Sequence, residues 1–252
     1  MKKLILFIIL IGLVLGVYYL IKPQEEGNII NIVKKKDNKK EIQSHEFENT
    51  NIIATWFSVD DVDGLILYPN YKDQITSSDA REKYDCTNLV SGGFYDEDNS
   101  PIGLFIGEGE TLSKQVNNDT FNGYFSVSNN GDAKITSWVP SDVRIGLQTG
   151  PLLIYEGNLR NLKLSRDKEA RRVVLAQTES DKLYFIVLYD SESFYQGPKL
   201  DELPKMIKDI EENIGEKVTY AINLDGGAAS SFYTKDFSLT ELSFVGSFFC
   251  MK

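Results

Sequence analysis

The run Ala221-Ile222-Asn223-Leu224-Asp225-Gly226-Gly227-Ala228-Ala229-Ser230-Ser231-Phe232-Tyr233 limits the fold more than any other stretch of the chain. Val218 to Leu224 is rich in apolar and β-branched residues and reads as a short buried strand. Two glycines then oblige the chain to turn, which leaves Asp225 at the strand's end. Lacking a Cβ, the glycines can take positive φ and admit a ligand close to the backbone, while Ser230 and Ser231 can turn hydroxyls or amide N–H groups toward the same spot. A carboxylate, the Asn223 amide, bare backbone and hydroxyls thus converge. In isolation, Asp-Gly-Gly would read more simply as a β-turn whose Asp bonds its own backbone.

The chemistry open to this site is bounded by what the chain lacks. His45 is the only histidine, and it falls in a polar stretch ahead of the expected folded region. A Ser-His-Asp triad, a Cys-His pair and the usual zinc sites are therefore not expected in the core. Carboxylates, arginine, lysine, tyrosine, hydroxyls and amides remain. A net charge of −10 argues against a nucleic-acid surface, which needs a clustered excess of Lys and Arg. No cofactor is called for, although an oxygen-only calcium or magnesium site built from Asp225, Asp96 and carbonyls is compatible with the residues.

Leu4 to Ile21 is eighteen uncharged residues, preceded by Lys2 and Lys3 and followed by Lys22. That length suits a membrane crossing, exceeds a typical cleaved apolar segment and is followed by no small-residue cleavage site, so residues 1–22 read as an uncleaved transmembrane signal anchor. A signal peptide cut at an atypical site is the competing reading. Lys34, Lys35, Lys36, Lys39 and Lys40, counted alone, would keep the downstream flank in the cytoplasm. The lysines directly before the apolar run favour export instead. Residues 23–50 are polar and charge-rich and read as a stalk, leaving 51–252 as one domain with a substantial core. Cys86 and Cys250 then sit in an exported chain, where they can either form a bridge or act as two small buried thiols.

Short β-rich runs dominate the first two thirds: Ile52 to Val59, Gly64 to Tyr68, Thr87 to Val90, Ile102 to Ile106, Gly123 to Val127, Ala133 to Trp138 and Pro151 to Tyr155. A short helix is expected over Thr76 to Tyr84, capped at Ser77 or Ser78. Arg172 to Gln177 and Lys182 to Leu188 read as a hairpin. Leu203, Met206, Ile207, Ile210 and Ile214 recur at the helical period, predicting a helix over Leu200 to Ile214 that Gly215 stops. The fold class is α+β: a single domain with a mixed, mostly antiparallel sheet and few helices, behind the N-terminal transmembrane helix.

The opening stretch resembles the N-L-D-G-G-x-S-S signature of the phosphodiester glycosidase family, and three further stretches match in the family's order. Ser91-Gly92-Gly93-Phe94-Tyr95-Asp96, with Pro101-Ile102-Gly103-Leu104, is similar to its N-x-G-(F/M)-(F/Y)-D … P-x-G-L block. Leu147-Gln148-Thr149-Gly150-Pro151-Leu152-Leu153 is similar to its Q-(S/T)-G-P-x-L block. Arg171 falls where the family carries an arginine before an apolar strand. The resemblance covers about Ile52 to Met251, and four ordered blocks are far more specific than one.

This resemblance implies hydrolysis between a sugar's anomeric carbon and a phosphodiester oxygen. The departing phosphomonoester is already a stable anion, so strong acid help matters less than in ordinary glycoside hydrolysis. Matched positions then imply Asp225 as nucleophile or base, Asn223 as its orienter or a sugar contact, and Arg171 as the fork for phosphate. Ser91, Gly92, Gly93, Asp96, Gln148, Thr149, Gly226, Gly227, Ser230 and Ser231 are the expected substrate-binding residues, with Gly92 and Gly93 offering N–H groups to an anion. Phe94 and Tyr95 are candidates for stacking on a sugar. Plainer readings stand beside these: a surface Arg171 paired with Glu169, Asp96 in a solvated turn, Gln148 and Thr149 in a structural turn, and aromatics in the core.

Two departures stand out. Ser91 replaces the usual asparagine, and Ala228-Ala229 replaces the usual glycine and serine. The expected protein is a membrane-anchored, extracytoplasmic hydrolase of a sugar-1-phosphodiester in envelope or extracellular glycan. The alternatives are a catalytically silent glycan-binding or envelope-assembly protein, and an unrelated hydrolase pairing Asp225 with Asp96 within about 10 Å.

Overall fold

The computed structural model describes residues 42–252. In chain order the strands are β1 (Gln43–Glu46), β2 (Ile52–Val59), β3 (Leu65–Pro69), β4 (Asn88–Ser91), β5 (Phe105–Gly107), β6 (Glu110–Ser113), β7 (Gly123–Ser128), β8 (Ala133–Thr136), β9 (Val143–Thr149), β10 (Leu152–Tyr155), β11 (Asn158–Leu159), β12 (Arg172–Thr178), β13 (Leu183–Asp190), β14 (Val218–Asn223), β15 (Phe232–Tyr233), β16 (Ser238–Leu239) and β17 (Ser247–Met251). Among the described residues three short α-helices accompany them: α1 (Ser77–Tyr84), α2 (Leu203–Asp209) and α3 (Glu211–Ile214).

Three sheets form where one was expected. Their strand orders are β1-β2-β13-β12-β14-β10-β11, β16-β15-β4-β17-β3 and β6-β5-β9-β7-β8. Every pairing within them is antiparallel. The α+β class with few helices therefore holds, without the expected mixture of strand directions.

Alternation along the strands explains how the sheets stack. From the seven-stranded sheet, Val173, Leu175, Phe185, Val187 and Ile222 enter a central apolar core shared with Leu67, Val90, Phe232 and Phe249 of the second sheet and Phe105, Phe125 and Leu147 of the third. The neighbouring residues Val174, Ala176, Ile186, Leu188 and Ala221 point the other way, onto Leu203 and Ile207 of α2, Ile214 of α3 and Ile210 between them. The helical stripe read from the sequence is the one that is buried. Its helix is not continuous, because Ile210 (φ −91°, ψ 0°) separates α2 from α3 and residues 200–202 form a 3₁₀ turn. Gly215 closes α3 at φ +83°, as expected of a left-handed stop.

α1 covers the outer face of the second sheet, where Ala80, Leu89, Tyr233, Phe248 and Val245 pack around a Cys86–Cys250 disulfide. The bridged alternative is thus the one adopted. The cap of α1 is Thr76 rather than a serine, with its hydroxyl accepting the Asp79 N–H at 3.1 Å.

The expected anchor (1–22) and most of the expected stalk (23–50) lie outside the described residues. Among the described residues no helix is long and apolar enough to cross a membrane. The domain boundary at 51 is corrected, because β1 pairs with β2 and Gln43 Oε1 accepts from Trp56 Nε1 at 2.7 Å. His45 consequently belongs to the folded domain and not to a stalk, with its ring edge-on to Phe47 at 4.9 Å. It lies on the edge strand, four strands from β14. That separation is about 19 Å at the usual strand spacing, too far to act on Asp225.

Candidate active site

Asp225 sits one residue beyond Leu224, whose N–H donates to Val173 and whose side chain is fully buried in the central core. The backbone N–H of Asp225 donates to the Gly92 carbonyl at 3.0 Å, and the Ser91 hydroxyl donates to the Asp225 carbonyl at 3.2 Å. The end of β14 in the first sheet is thereby fastened to the end of β4 in the second. The Asp225 carboxylate accepts the Gly226 N–H at 2.9 Å. Burial pushes this carboxyl up to about 8, opposed only in part by that N–H. A carboxyl tuned near neutrality at the end of a strand is suited to acid–base or nucleophilic work.

The two glycines are needed for different reasons. A Cβ at Gly226 would lie 2.5 Å from the Arg171 carbonyl oxygen, a backbone atom that cannot move aside. Gly227 has φ +60°, and its N–H donates to the same carbonyl at 2.7 Å.

Arg171 is where the structure departs furthest from expectation. Its side chain is 1% exposed, so it is neither a surface arginine paired with Glu169 nor a free fork for phosphate. Nε donates to Ser230 Oγ at 2.8 Å, and the terminal nitrogens donate to the carbonyls of Thr240 at 2.8 Å, Phe194 at 3.3 Å, Gly227 at 3.4 Å and, closest of all, Ser230. The guanidinium lies 5.1 Å from the centre of the Tyr195 ring. Burial lowers its pKa to about 10, which leaves it charged at neutral pH. Arg171 thus braces the turn that follows Asp225 against two other loops. Ser230 shares the task, since its hydroxyl also donates to the Gly227 carbonyl at 2.7 Å.

Other expected substrate-binding residues are likewise committed to the framework. The Gly92 N–H donates to the Ser247 carbonyl at 2.8 Å and the Gly93 N–H to the Ser247 hydroxyl at 3.1 Å, so neither is offered to an anion. Gln148 Oε1 accepts from Leu104 and Val116 N–H groups, and its amide nitrogen donates to the Val116 and Phe121 carbonyls. No polar atom of Gln148 is left for a ligand. Thr149 is fully buried and donates to the Asn223 carbonyl at 2.8 Å. Asp96 is exposed and accepts the N–H groups of Asp98 and Ser100, the solvated turn of the plainer reading. The Phe94 ring packs 4.7 Å from Phe121, and Tyr95 donates to the Phe244 carbonyl at 2.7 Å.

Three buried side-chain atoms have no hydrogen-bond partner among the described residues: Tyr71 Oη, Asn223 Oδ1 and Ser231 Oγ. Two of them lie within the Asp225 stretch itself. Asn223 is oriented by its amide nitrogen, which donates to Gly150 at 3.0 Å and leaves the oxygen bare. The third, Tyr71, has its phenol pushed well above its ordinary value by burial and then by the charge of Asp225, which places the two groups within electrostatic reach. Ser247 lies beside the Tyr71 hydroxyl without closing a hydrogen bond of acceptable geometry. Buried polar groups are normally partnered, so these three exceptions, two of them within the Asp225 stretch, are candidate contacts for a polar ligand. Among the described residues no cluster of three or more His, Cys, Asp or Glu gathers as metal ligands.

The family model described as phosphodiester glycosidase matches residues 84–246, which include Ser91, Arg171 and Asp225. The chain belongs to the phosphodiester glycosidase family.

Solved structures carry the same fold. The zebrafish N-acetylglucosamine-1-phosphodiester alpha-N-acetylglucosaminidase catalytic domain, auto-inhibited by its pro-peptide, aligns with TM-score 0.66 at 14% identity over 84% of this chain and 81% of that one. A hypothetical protein from Synechocystis aligns with TM-score 0.62 at 12% identity, covering 83% of this chain and 61% of its own length. No curated protein matches by sequence.

Tyr71 and Ser247 carry no signal in the sequence that associates them with the Asp225 stretch. Both lie outside the matched span, and no motif surrounds them. The one local hint is Gly246: a Cβ there would come within 2.7 Å of the Tyr71 ring and 3.0 Å of the Tyr95 ring, so a glycine is what lets both aromatics approach.

Proposed function

We propose that the protein hydrolyses a sugar-1-phosphodiester, with Asp225 as the group that acts on the anomeric carbon. The observation that carries this reading is the Asp225 carboxyl itself, pushed up to about 8 by burial within the family's signature and accompanied by three unpartnered polar atoms. In its ionised form the carboxylate attacks the anomeric carbon or takes a proton from water that does so. The bond from that carbon to the phosphate oxygen breaks, and the phosphomonoester leaves with the bonding pair. Asn223 Oδ1, free to accept, receives a hydrogen bond from a sugar hydroxyl. Arg171 and Ser230 act at one remove, by holding the turn that fixes Asp225.

The substrate is a glycan of the envelope or extracellular space, and the protein is held at an extracytoplasmic membrane surface by residues 1–22. The uncharged run Leu4 to Ile21 supports this placement, as does the Cys86–Cys250 disulfide, a bond that persists in oxidising compartments. The name of the zebrafish relative supports N-acetylglucosamine-1-phosphodiesters as the first class to assay.

The test is the release of free sugar from a panel of glycosyl phosphodiesters by the full chain and by Asp225→Asn. Turnover in the wild type, lost by more than about a thousandfold in Asp225→Asn with melting temperature retained, is the expected result. Wild-type binding of the panel without turnover would instead establish a silent glycan-binding protein. Neither binding nor turnover would end the proposal.

A further inference from the structure

The phosphate end of such a substrate needs hydrogen-bond donors, and the structure removes the obvious ones. Arg171 is bound to four carbonyls and a hydroxyl, and the Gly92 and Gly93 N–H groups both belong to Ser247. The three unpartnered atoms divide by polarity. Asn223 Oδ1 can only accept, whereas the hydroxyls of Tyr71 and Ser231 can donate.

Of the two donors, Tyr71 is the one whose ring is fixed by packing, with the Ser247 side chain near its hydroxyl. Its ring stands edge-on to Phe105 at 5.5 Å and against the bare backbone of Gly246, and its hydroxyl is buried with no partner. Ser247, alongside, accepts the Gly93 N–H at 3.1 Å. An unpartnered buried hydroxyl is costly to the fold, and this one stands over Gly246-Ser247, the segment whose Ser247 holds Gly92 while the Gly92 carbonyl holds the Asp225 N–H, so it calls for a ligand that completes it.

We propose that Tyr71 is a substrate-contacting residue of this site, whose hydroxyl donates to a non-bridging phosphoryl oxygen of the bound phosphodiester. This assignment rests on the function proposed above and adds a residue that the family match does not reach. A neutral donor suits the position. Its raised pKa keeps the phenol protonated at any working pH, and it holds the anion without a charge that would return Asp225 to the ordinary carboxylate range. No proton is transferred from Tyr71, which only binds.

The test is Tyr71→Phe in the full chain, which deletes one oxygen and keeps the ring. The expected result is a ~10- to 100-fold loss in kcat/KM on a glycosyl phosphodiester, the range for a lost bond to a charged group. Melting temperature should be unchanged or raised, because the deleted hydroxyl satisfied nothing in the unliganded protein. Inorganic phosphate should compete with substrate in the wild type and fail to do so in the variant, while the neutral methyl glycoside of the same sugar competes equally in both. An unimpaired variant overturns the assignment and leaves the function standing. A lowered melting temperature with equal phosphate competition shows a structural hydroxyl and also overturns it. If the wild type hydrolyses no phosphodiester, the function reading falls, and the assignment is then judged by direct phosphate binding: equal binding in both proteins, or none in the wild type, overturns it.

Discussion

The backbone N–H of Asp225 donates to the carbonyl of Gly92 at 3.0 Å, joining two of the family-like blocks, which extend from strands on different sheets. The carboxyl therefore hangs from a junction anchored on both sides. Its position depends on the ends of β4 and β14 together, and its titration on how thoroughly that junction excludes water.

Activity should follow the ionised fraction of Asp225. The expected profile of kcat/KM is a rising limb with its midpoint near pH 8, the value to which burial pushes the carboxyl. Stability should run the other way. The folded protein holds this proton up to about pH 8 while the unfolded chain loses it near 3.8, so the wild type loses stability as pH rises between those values and is level above them. Asp225→Asn should lack that decline. Unfolding both proteins in denaturant across the pH range measures the difference, and a falling activity limb near pH 8 would assign Asp225 as an acid instead.

Arg171→Met should destabilise before it does anything else. The substitution keeps much of the volume but strips the donors from the carbonyls of Ser230, Thr240 and Phe194, while Gly227 keeps the Ser230 hydroxyl, at about 1–3 kcal/mol for each buried acceptor left bare. A loss of about 3–5 kcal/mol in denaturant unfolding is expected. Arg171→Lys should recover little, because one ammonium cannot span acceptors on three loops. If Arg171→Met keeps full stability and loses only phosphate competition, the arginine binds substrate after all.

Gln148→Ala should separate framework from chemistry. Four hydrogen bonds to Leu104, Val116 and Phe121 disappear with it, for a loss of about 2–4 kcal/mol. Turnover per folded molecule should stay within about twofold of wild type. A selective rise in KM would restore Gln148 to the substrate pocket.

Reduction, or Cys86→Ser with Cys250→Ser, should lower stability while leaving the rate of the folded protein intact. Chain-entropy estimates for a bridge spanning 164 residues reach about 5 kcal/mol, and the bond lies in the cluster beneath α1, apart from Asp225. Thiol titration of the unfolded, unreduced chain should find no free cysteine.

Local signals explain which parts could be read in advance. β2, β14, the hairpin of β12 and β13 and the buried stripe of α2 and α3 announce themselves through apolar periodicity, and Asp225 through the two glycines after it. β9 signals more weakly: Val143, Ile145 and Leu147 alternate with Arg144, Gly146 and Gln148, but Pro140 and Gly146 give the run the character of a loop. Arg171, Gln148 and the Gly92–Gly93 pair were given substrate roles because a residue's type tells what it can bond, not what it does bond. Their partners, at Thr240, Phe121 and Ser247, are distant in sequence and emerge only when three sheets close on one another. Tyr71 could not be found for the same reason, as its meaning lies in its separation from Asp225 in space.

β17 lies between β3 and β4 in the middle of its sheet, although it is the last of the described strands in chain order. During synthesis, β3 and β4 must wait for a neighbour about 180 and about 160 residues later, and until it arrives Gly92 and Gly93 lack the Ser247 acceptors of their amides. A chain extended only as far as the Asp225 stretch would therefore carry that whole signature and still lack the strand that holds Gly92 and Gly93 against it.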